Sequence, residues 1–296
     1  MLSSVVGEVA SSGRRLGDAD ASAHTWSTPN GLRRTRWYRA AMTGTTFITG
    51  ASSGIGLHLA KELAARGDDL VLTARRVDRL ERLATDITTA HPDRRVLVQA
   101  LDVTDPEAVI ASIRAADNQI GGLSRVVANA GLGSQSEGRI GSPDHPLRSA
   151  PLIATNVTGL IATIDAGLEV MLPRGQGHLV AISSVAGTRG LPWGPAYSAS
   201  KAAVDTYMEG IAAWLVDTGL DTTVIRPGYI DTGIFDDGDE LPNVFGIDET
   251  IGPLTDAIVE RRPEAVIPAE PYEASVAFLR GVPVDELKKL TPPSRA

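Results

Sequence analysis

No cysteine occurs among the 296 residues. That absence excludes a disulfide framework, a thiol nucleophile, a thiolate zinc site and an iron–sulfur cluster together, and it predicts a cytoplasmic chain. A surplus of basic charge is also missing: 28 Lys and Arg stand against 36 Asp and Glu, a net −8. Charge of that sign repels phosphate backbones, so no nucleic-acid partner is expected. Apolar runs such as Val126–Ala128 and Leu179–Ile182 are short, far below the roughly 18 to 20 residues of a membrane span, and none is expected. The five histidines lack metal-ligand spacing, and no metal is expected. No repeat of 20 to 50 residues is visible either. What remains, 43% hydrophobic and 22% charged residues, is ordinary globular composition.

Charge is uneven along the chain. Residues 1–41 hold six arginines and three acids, so they are +3 while residues 42–296 are −11. The stretch is rich in Ser, Gly, Thr and Ala and lacks both an apolar repeat and the apolar run of a secretory signal. It reads as a disordered tail, or as sequence ahead of a true start at Met42. A transit peptide is the alternative, favoured by Arg and Ser and opposed by the early acids Glu8, Asp18 and Asp20. Residues 42–296 are expected to form one catalytic domain.

From Met42 onward, short β-branched runs alternate with helical patterns, which predicts an α/β fold: a single-domain, Rossmann-type, doubly wound parallel sheet of about seven strands. Strands are expected at Thr45–Thr49, Leu70–Ala74, Val96–Leu101, Arg125–Ala128, His178–Ser183, Thr222–Ile225 and Ala265–Ile267. Helices are expected at Ile55–Arg66, Arg79–Ala90, Pro106–Ala115, Leu152–Met171, Tyr197–Asp217, Thr250–Arg261 and Glu273–Arg280. Three irregular stretches, Gly131–Ser149, Val185–Pro195 and Tyr229–Glu249, follow strands. In a parallel sheet they gather beyond its carboxyl edge, where ligands bind.

The first strand runs into Thr49-Gly50-Ala51-Ser52-Ser53-Gly54-Ile55-Gly56 and a helix follows at once. Glycines there permit a tight turn and close approach to a pyrophosphate, and the free amides of the first helical turn attract the anion. The missing Gly-Lys-Ser/Thr ending excludes a triphosphate P-loop. The same letters also match the G-x-S-x-G elbow of a serine hydrolase using Ser52. That alternative needs a later histidine, and His178, at a strand start, is a poor base. Further on, Tyr197 and Lys201 lie four residues apart, hence on one helix face. An ammonium beside a phenol lowers its pKa from about 10 and makes it a general acid and base.

With Ser184 thirteen residues before Tyr197, Asn156 in the preceding helix, Asn129-Ala130-Gly131 and Pro227-Gly228, the order of motifs in residues 42 to about 270 resembles the short-chain dehydrogenase/reductase family. The resemblance implies that Thr49, Gly50, Ser52, Ser53, Gly54, Ile55 and Gly56 cradle the pyrophosphate, that Asp102 and Val103 flank the adenine, and that Asn129, Ala130 and Gly131 stabilise the sheet beside the cofactor. Ala128 stands where the family more often has a second Asn. Ser184 would hold the substrate carbonyl, Tyr197 would donate the proton, Lys201 would anchor the ribose, and Asn156 would hold a water feeding Lys201. Pro227, Gly228 and Thr232 would close over the nicotinamide amide. The implied activity is interconversion of a ketone or aldehyde with an alcohol by hydride transfer, in a homodimer or homotetramer. A catalytically idle dinucleotide sensor on the same fold is the alternative.

The second strand ends in Arg75 and Arg76, with no carboxylate to receive ribose hydroxyls, so NADP (NADPH) is expected over NAD. Asp68 and Asp69 precede the strand, at its opposite end. Trp193, Pro195, Tyr229, Phe235, Leu241 and Phe245 are expected at the pocket mouth and suit an apolar small-molecule carbonyl. The acids Asp236, Asp237, Asp239 and Glu240 crowd one loop.

Overall fold

Neighbouring strand residues point to opposite faces of a sheet, and here both neighbours are apolar. Phe47, Val126 and Leu179 therefore enter one core, while Ile48, Val127 and Val180 enter another. A sheet covered on both faces is the outcome. The computed structural model describes residues 44–137, 140–231, 244–270, 272, 273, 276 and 281. The tail 1–41, Thr232, Phe235, the acids 236–240, Leu241 and most of the predicted helix Glu273–Arg280 lie outside the described residues.

Elements follow in the order β1 (Thr45–Thr49), α1 (Gly54–Ala65), β2 (Asp69–Ala74), α2 (Val77–Ala90), β3 (Val96–Ala100), α3 (Pro106–Ile120) and β4 (Arg125–Ala128). Then come α4 (His145–Ile153), α5 (Gly159–Met171), β5 (Gly177–Ile182), α6 (Pro195–Trp214), β6 (Leu220–Pro227), β7 (Ile230–Asp231), β8 (Phe245–Gly246), α7 (Ile247–Val259) and β9 (Glu264–Ile267). Seven strands pair in parallel in the order β3-β2-β1-β4-β5-β6-β9. The order reverses between β1 and β4, which pair with Phe47 opposite Val126. That reversal opens the crevice where such folds bind ligands.

The expected strands are all present with ends shifted by at most two residues, most at β6, and the larger differences lie at helix ends and in loops. Helix α3 runs to Ile120 rather than Ala115 because Val109, Ile113, Ala116 and Ile120 continue one buried stripe. Gly121, at φ +87, then ends it in a left-handed turn that suits glycine. Asp105 caps α3, accepting from the Ala108 amide at 3.1 Å. Helix α6 starts two residues before Tyr197, at Pro195. The stretch expected to be irregular up to Ser149 already turns helical at His145. Between α4 and α5, residues Ala154–Thr158 form a π-helical bulge that carries Asn156. The loop after β6 adds a two-strand ladder, β7 with β8, that the sequence did not suggest.

The helical run His145–Arg174 is long and apolar enough to cross a membrane by length and composition, yet half of its most apolar window is buried inside the protein. Leu160, Ile164 and Met171 from this run sit in the core against Val126 and Leu179. It is a core helix.

Candidate active site

The turn after β1 is built by steric need. Gly50 has φ +70, and a Cβ there would lie 2.8 Å from the Ala130 Cα. At Gly56 a Cβ would meet the Gly50 carbonyl oxygen at 2.6 Å, so helix and turn touch only because no side chain intervenes. Asn129 ties the two switch-point strands: its Nδ2 donates to the carbonyls of Thr49 (2.8 Å) and Gly50 (3.3 Å). The Thr49 hydroxyl accepts from the amides of Asn129 (3.0 Å) and Ala130 (3.1 Å). Thr49 and Gly56 thus brace the wall from behind. Gly50, Ser52, Ser53, Gly54, Ile55, Asn129, Ala130 and Gly131 line the cleft itself.

Where β2 ends, Arg75 is exposed and contributes its charge to the field at Asp102. The Asp102 carboxyl is held below its usual range, first by the Thr104 amide, then by the Thr104 hydroxyl and Arg75, against the opposing effect of burial. Arg76 folds over the glycine turn, donating to the hydroxyls of Ser52 (3.0 Å) and Ser53 (2.8 Å). Ser52 therefore faces a guanidinium, and no histidine lines the cleft among the described residues. A hydrolase elbow has no base here. Asp69, at the far end of β2, pairs with Arg95 at 2.8 Å.

Ser184, Tyr197 and Lys201 meet on the other side of the cleft. Ser184 lies two residues beyond the end of β5, beside the Tyr197 phenol, whose ionised form it favours. It also accepts from the Ala186 amide (3.2 Å) and lies 3.4 Å from the Pro227 oxygen. The neighbouring Ser183 hydroxyl turns to the Lys201 carbonyl, tying strand to helix. Lys201 Nζ donates to the Ile182 carbonyl at 2.9 Å and lies 5.8 Å from the Tyr197 ring centre. Burial lowers the Lys201 ammonium to about 8, with Asp205 acting in the opposite sense. The Tyr197 phenol is pushed up by burial, with the neighbouring Ser184 hydroxyl opposing and Tyr229 adding to the rise. The expected lowering by Lys201 is not found: burial dominates, and Lys201 is not among the groups that shift the phenol.

Asn156 is buried in the π bulge. Its Oδ1 accepts from the Leu132 amide (2.8 Å), and its Nδ2 donates to the Leu132 carbonyl (3.0 Å) and the Ser200 hydroxyl (3.0 Å). Both side-chain donors are spent on bracing the loop after β4 against α6. Any water on this side chain would have to donate to Oδ1.

The cleft measures about 340 Å³ and joins Ser184, Tyr197 and Lys201 with Asp102, Val103, Pro227 and Gly228, whereas Asn156 does not line it. Of the residues expected at its mouth, Trp193 and Tyr229 line it. Phe245 instead pairs its amide with the Tyr229 carbonyl (3.0 Å) and meets the Tyr272 ring edge-on. Pro195 serves as the first residue of α6. Sequence reading missed Leu132, Ser134, Gln135 and Leu191, which also line the cleft. It also missed Glu137, wholly buried, whose Oε2 accepts from the Tyr197 amide at 2.8 Å. An acidic residue in a loop gives no signal of burial. A cleft lined by both the glycine turn and the Lys201 ammonium fits a dinucleotide, since a side chain at Gly50 or Gly56 would close the turn.

Comparison with known proteins agrees. The family model for short chain dehydrogenase matches residues 44–240. An uncharacterized oxidoreductase of Mycobacterium tuberculosis is 37% identical over 257 residues, covering 85% of this chain and 97% of the relative. A short-chain dehydrogenase from Sphingobium yanoikuyae, solved in complex with NADPH, superposes with TM-score 0.70 at 28% identity over 86% of this chain and 98% of the other. An alcohol dehydrogenase from Thermococcus sibiricus, complexed with 5-hydroxy-NADP, gives TM-score 0.67 at 28% identity over 75% and 95%.

Proposed function

The chain belongs to the short-chain dehydrogenase family of oxidoreductases, and from that premise we propose that it is an NADP-dependent enzyme interconverting a ketone or aldehyde with an alcohol. The observation that carries this reading is the meeting of Ser184, Tyr197 and Lys201 on the wall of the same cleft that the glycine turn lines, with Lys201 Nζ 5.8 Å from the Tyr197 ring centre. A nicotinamide dinucleotide bound there supplies the hydride. Gly50, Ser53, Gly54 and Ile55 would hold its pyrophosphate, Asp102 and Val103 its adenine, and Lys201 its ribose.

Arg75 supports NADP over NAD, because it stands exposed at the carboxyl end of β2 where a ribose-binding carboxylate would otherwise be. Two solved relatives that carry NADPH or 5-hydroxy-NADP point the same way. Arg76 is already engaged with Ser52 and Ser53, which makes Arg75 the principal contact.

Ser184 donates a hydrogen bond to the substrate carbonyl, and Tyr197 gives the oxygen its proton during reduction. Negative charge grows on that oxygen in the transition state, so both groups act more strongly there than in the ground state. At neutral pH Lys201 keeps its proton, with a value of about 8, and its charge favours the phenolate left behind. Asn156 keeps the loop and α6 in register. Beyond the nucleotide side the wall is uncharged among the described residues: Leu132, Ser134, Gln135, Leu191, Trp193 and Tyr229. That surface suits a neutral, largely apolar carbonyl compound.

The test is NADPH oxidation with a panel of ketones and aldehydes. Tyr197→Phe is expected to lower kcat by roughly 10² or more, the range for a lost general acid, with NADPH affinity unchanged. Parental turnover in that variant, with hydride transfer rate-limiting, would overturn the mechanism.

A further inference from the structure

Helix α6 presents Tyr197 and Lys201, yet its own N-terminus is poorly equipped to hold them still. Gly194 caps it without a side chain and Pro195, next, has no amide hydrogen. The Ser198 amide reaches the Gly194 carbonyl at 2.8 Å, so the amides of Ala196 and Tyr197 precede the first intrahelical bond. Both point at one carboxylate. Glu137, from the loop after β4, accepts from Tyr197 N at 2.8 Å (Oε2) and Ala196 N at 3.4 Å (Oε1). Its side chain is fully buried, where an unpaired carboxylate would be strongly disfavoured. His145, the first residue of α4, brings Nε2 to 3.6 Å from Oε1 and makes no hydrogen bond of its own there. A carboxylate at this place also meets the positive end of the helix dipole.

We propose that Glu137 is a positioning residue for the reaction: by capping α6 from 60 residues away it fixes the backbone of Tyr197, and so the distance from the phenol to Ser184. The proposal rests on Tyr197 being the proton donor. A cap supplied from within α6 would register the tyrosine only against its own helix. This one registers it against the loop whose Leu132, Ser134 and Gln135 line the substrate side of the cleft. Tyrosine and substrate wall are thereby referenced to one point.

Two readouts test this. Amide exchange in the protein without nucleotide should quicken by about tenfold or more at Ala196 and Tyr197 in Glu137→Ala, while residues from Val204 onward keep parental protection. In NADPH oxidation with the ketone or aldehyde that the parent reduces fastest, the same variant should lose about tenfold or more in kcat, as sub-ångström misplacement of a reacting group does. NADPH affinity should stay within about twofold. Glu137→Gln, which keeps one acceptor for the Tyr197 amide, should recover a part of kcat, and it takes the place of Glu137→Ala if that variant does not fold. Unchanged exchange at Ala196 and Tyr197 overturns the proposal. So does a parental kcat in a protein whose melting temperature alone has dropped, since Glu137 would then be only a stabilising cap. Tyr197→Phe, run alongside, separates the failures: if it is inactive while Glu137→Ala is fully active, this inference alone falls. If Tyr197→Phe is itself fully active, the underlying mechanism falls.

Discussion

Both edges of the parallel sheet bury polar side chains, but the amino edge closes its polar network and the carboxyl edge leaves its own open. At the amino edge, Asp68 Oδ1 accepts from the Gly44 amide (3.0 Å), and Oδ2 from the Thr46 hydroxyl (2.6 Å) and Arg125 (2.5 Å). Arg125 Nε continues to His178 Nδ1 (3.3 Å), His178 Nε2 to the Thr223 hydroxyl (2.8 Å), and that hydroxyl to the Arg262 carbonyl (2.7 Å). Each group's role is set by its neighbour: Nδ1 accepts, so Nε2 carries the hydrogen. The chain crosses β1, β4, β5 and β6 and joins them side chain to side chain. At the carboxyl edge, the Ser184 hydroxyl accepts from the Ala186 amide (3.2 Å) and donates only a long contact to Pro227 (3.4 Å), and a single carbonyl accepts from Lys201 Nζ. A saturated network fastens strands together, whereas a group with spare donors facing a cleft is available to a substrate.

The largest stability effect should separate the two edges. Arg125→Ala leaves Asp68 buried without its cation, and a loss of about 3–5 kcal/mol is expected in denaturant unfolding, with NADPH affinity of the folded protein unchanged. Affinity falling in step with stability would mean that the edges are not independent. Arg75→Asp should do the opposite. It removes a charge-assisted contact of about 1.5–3 kcal/mol, costing roughly 10- to 100-fold in NADPH affinity, and leaves the melting temperature near parental because the residue is exposed. Fluorescence titration with NADPH and NADH measures it, and equal affinities in the parent would remove the NADP assignment.

Acid sharpens the contrast further. Burial, then the charges of Arg125 and Arg261, hold His178 well below its ordinary value, so it is neutral in the fold. The unfolded chain takes up a proton below about 6.5, so it binds more protons there and stability falls as pH drops, by at most about 1.4 kcal/mol per pH unit. Asp69 and Asp102, whose values are lowered, add to the loss only below about 4. Unfolding free energies between pH 7 and 5 should show the slope in the parent and a flatter one in His178→Gln. An equal slope in both would place the titration elsewhere. The smallest effect belongs to neither edge: deleting residues 1–41 should leave melting temperature and NADPH affinity unchanged, since nothing in that stretch has a pattern that buries area. A lower melting temperature on truncation would show that the tail packs.

The fold was legible because its signals are local. Paired apolar neighbours such as Phe47-Ile48 and Val126-Val127 announce strands covered on both faces, and glycine at Gly50 and Gly56 announces a turn that cannot take a side chain. The Tyr197–Lys201 spacing places two groups on one helix face whatever surrounds them. Helix ends were less legible, because whether α3 stops at Ala115 or Ile120 depends on what Ala116 and Ile120 find to pack against.

By itself, then, the sequence determined the seven strands of the main sheet, the turn, the order of motifs and the absence of a carboxylate at the end of β2, all of which reside in residues close together along the chain. Tertiary structure alone decided the rest. Glu137 and Tyr197 are far apart in sequence, and only the folded loop buries that carboxylate against the first turn of α6. Arg76 reads as a phosphate ligand until Ser52 and Ser53 are brought against it. The Tyr197 phenol sits beside an ammonium in the sequence pattern, but its proton affinity is set by how much water the surrounding walls exclude. Desolvation and long-range contacts are properties of volume, and a linear pattern carries no measure of volume.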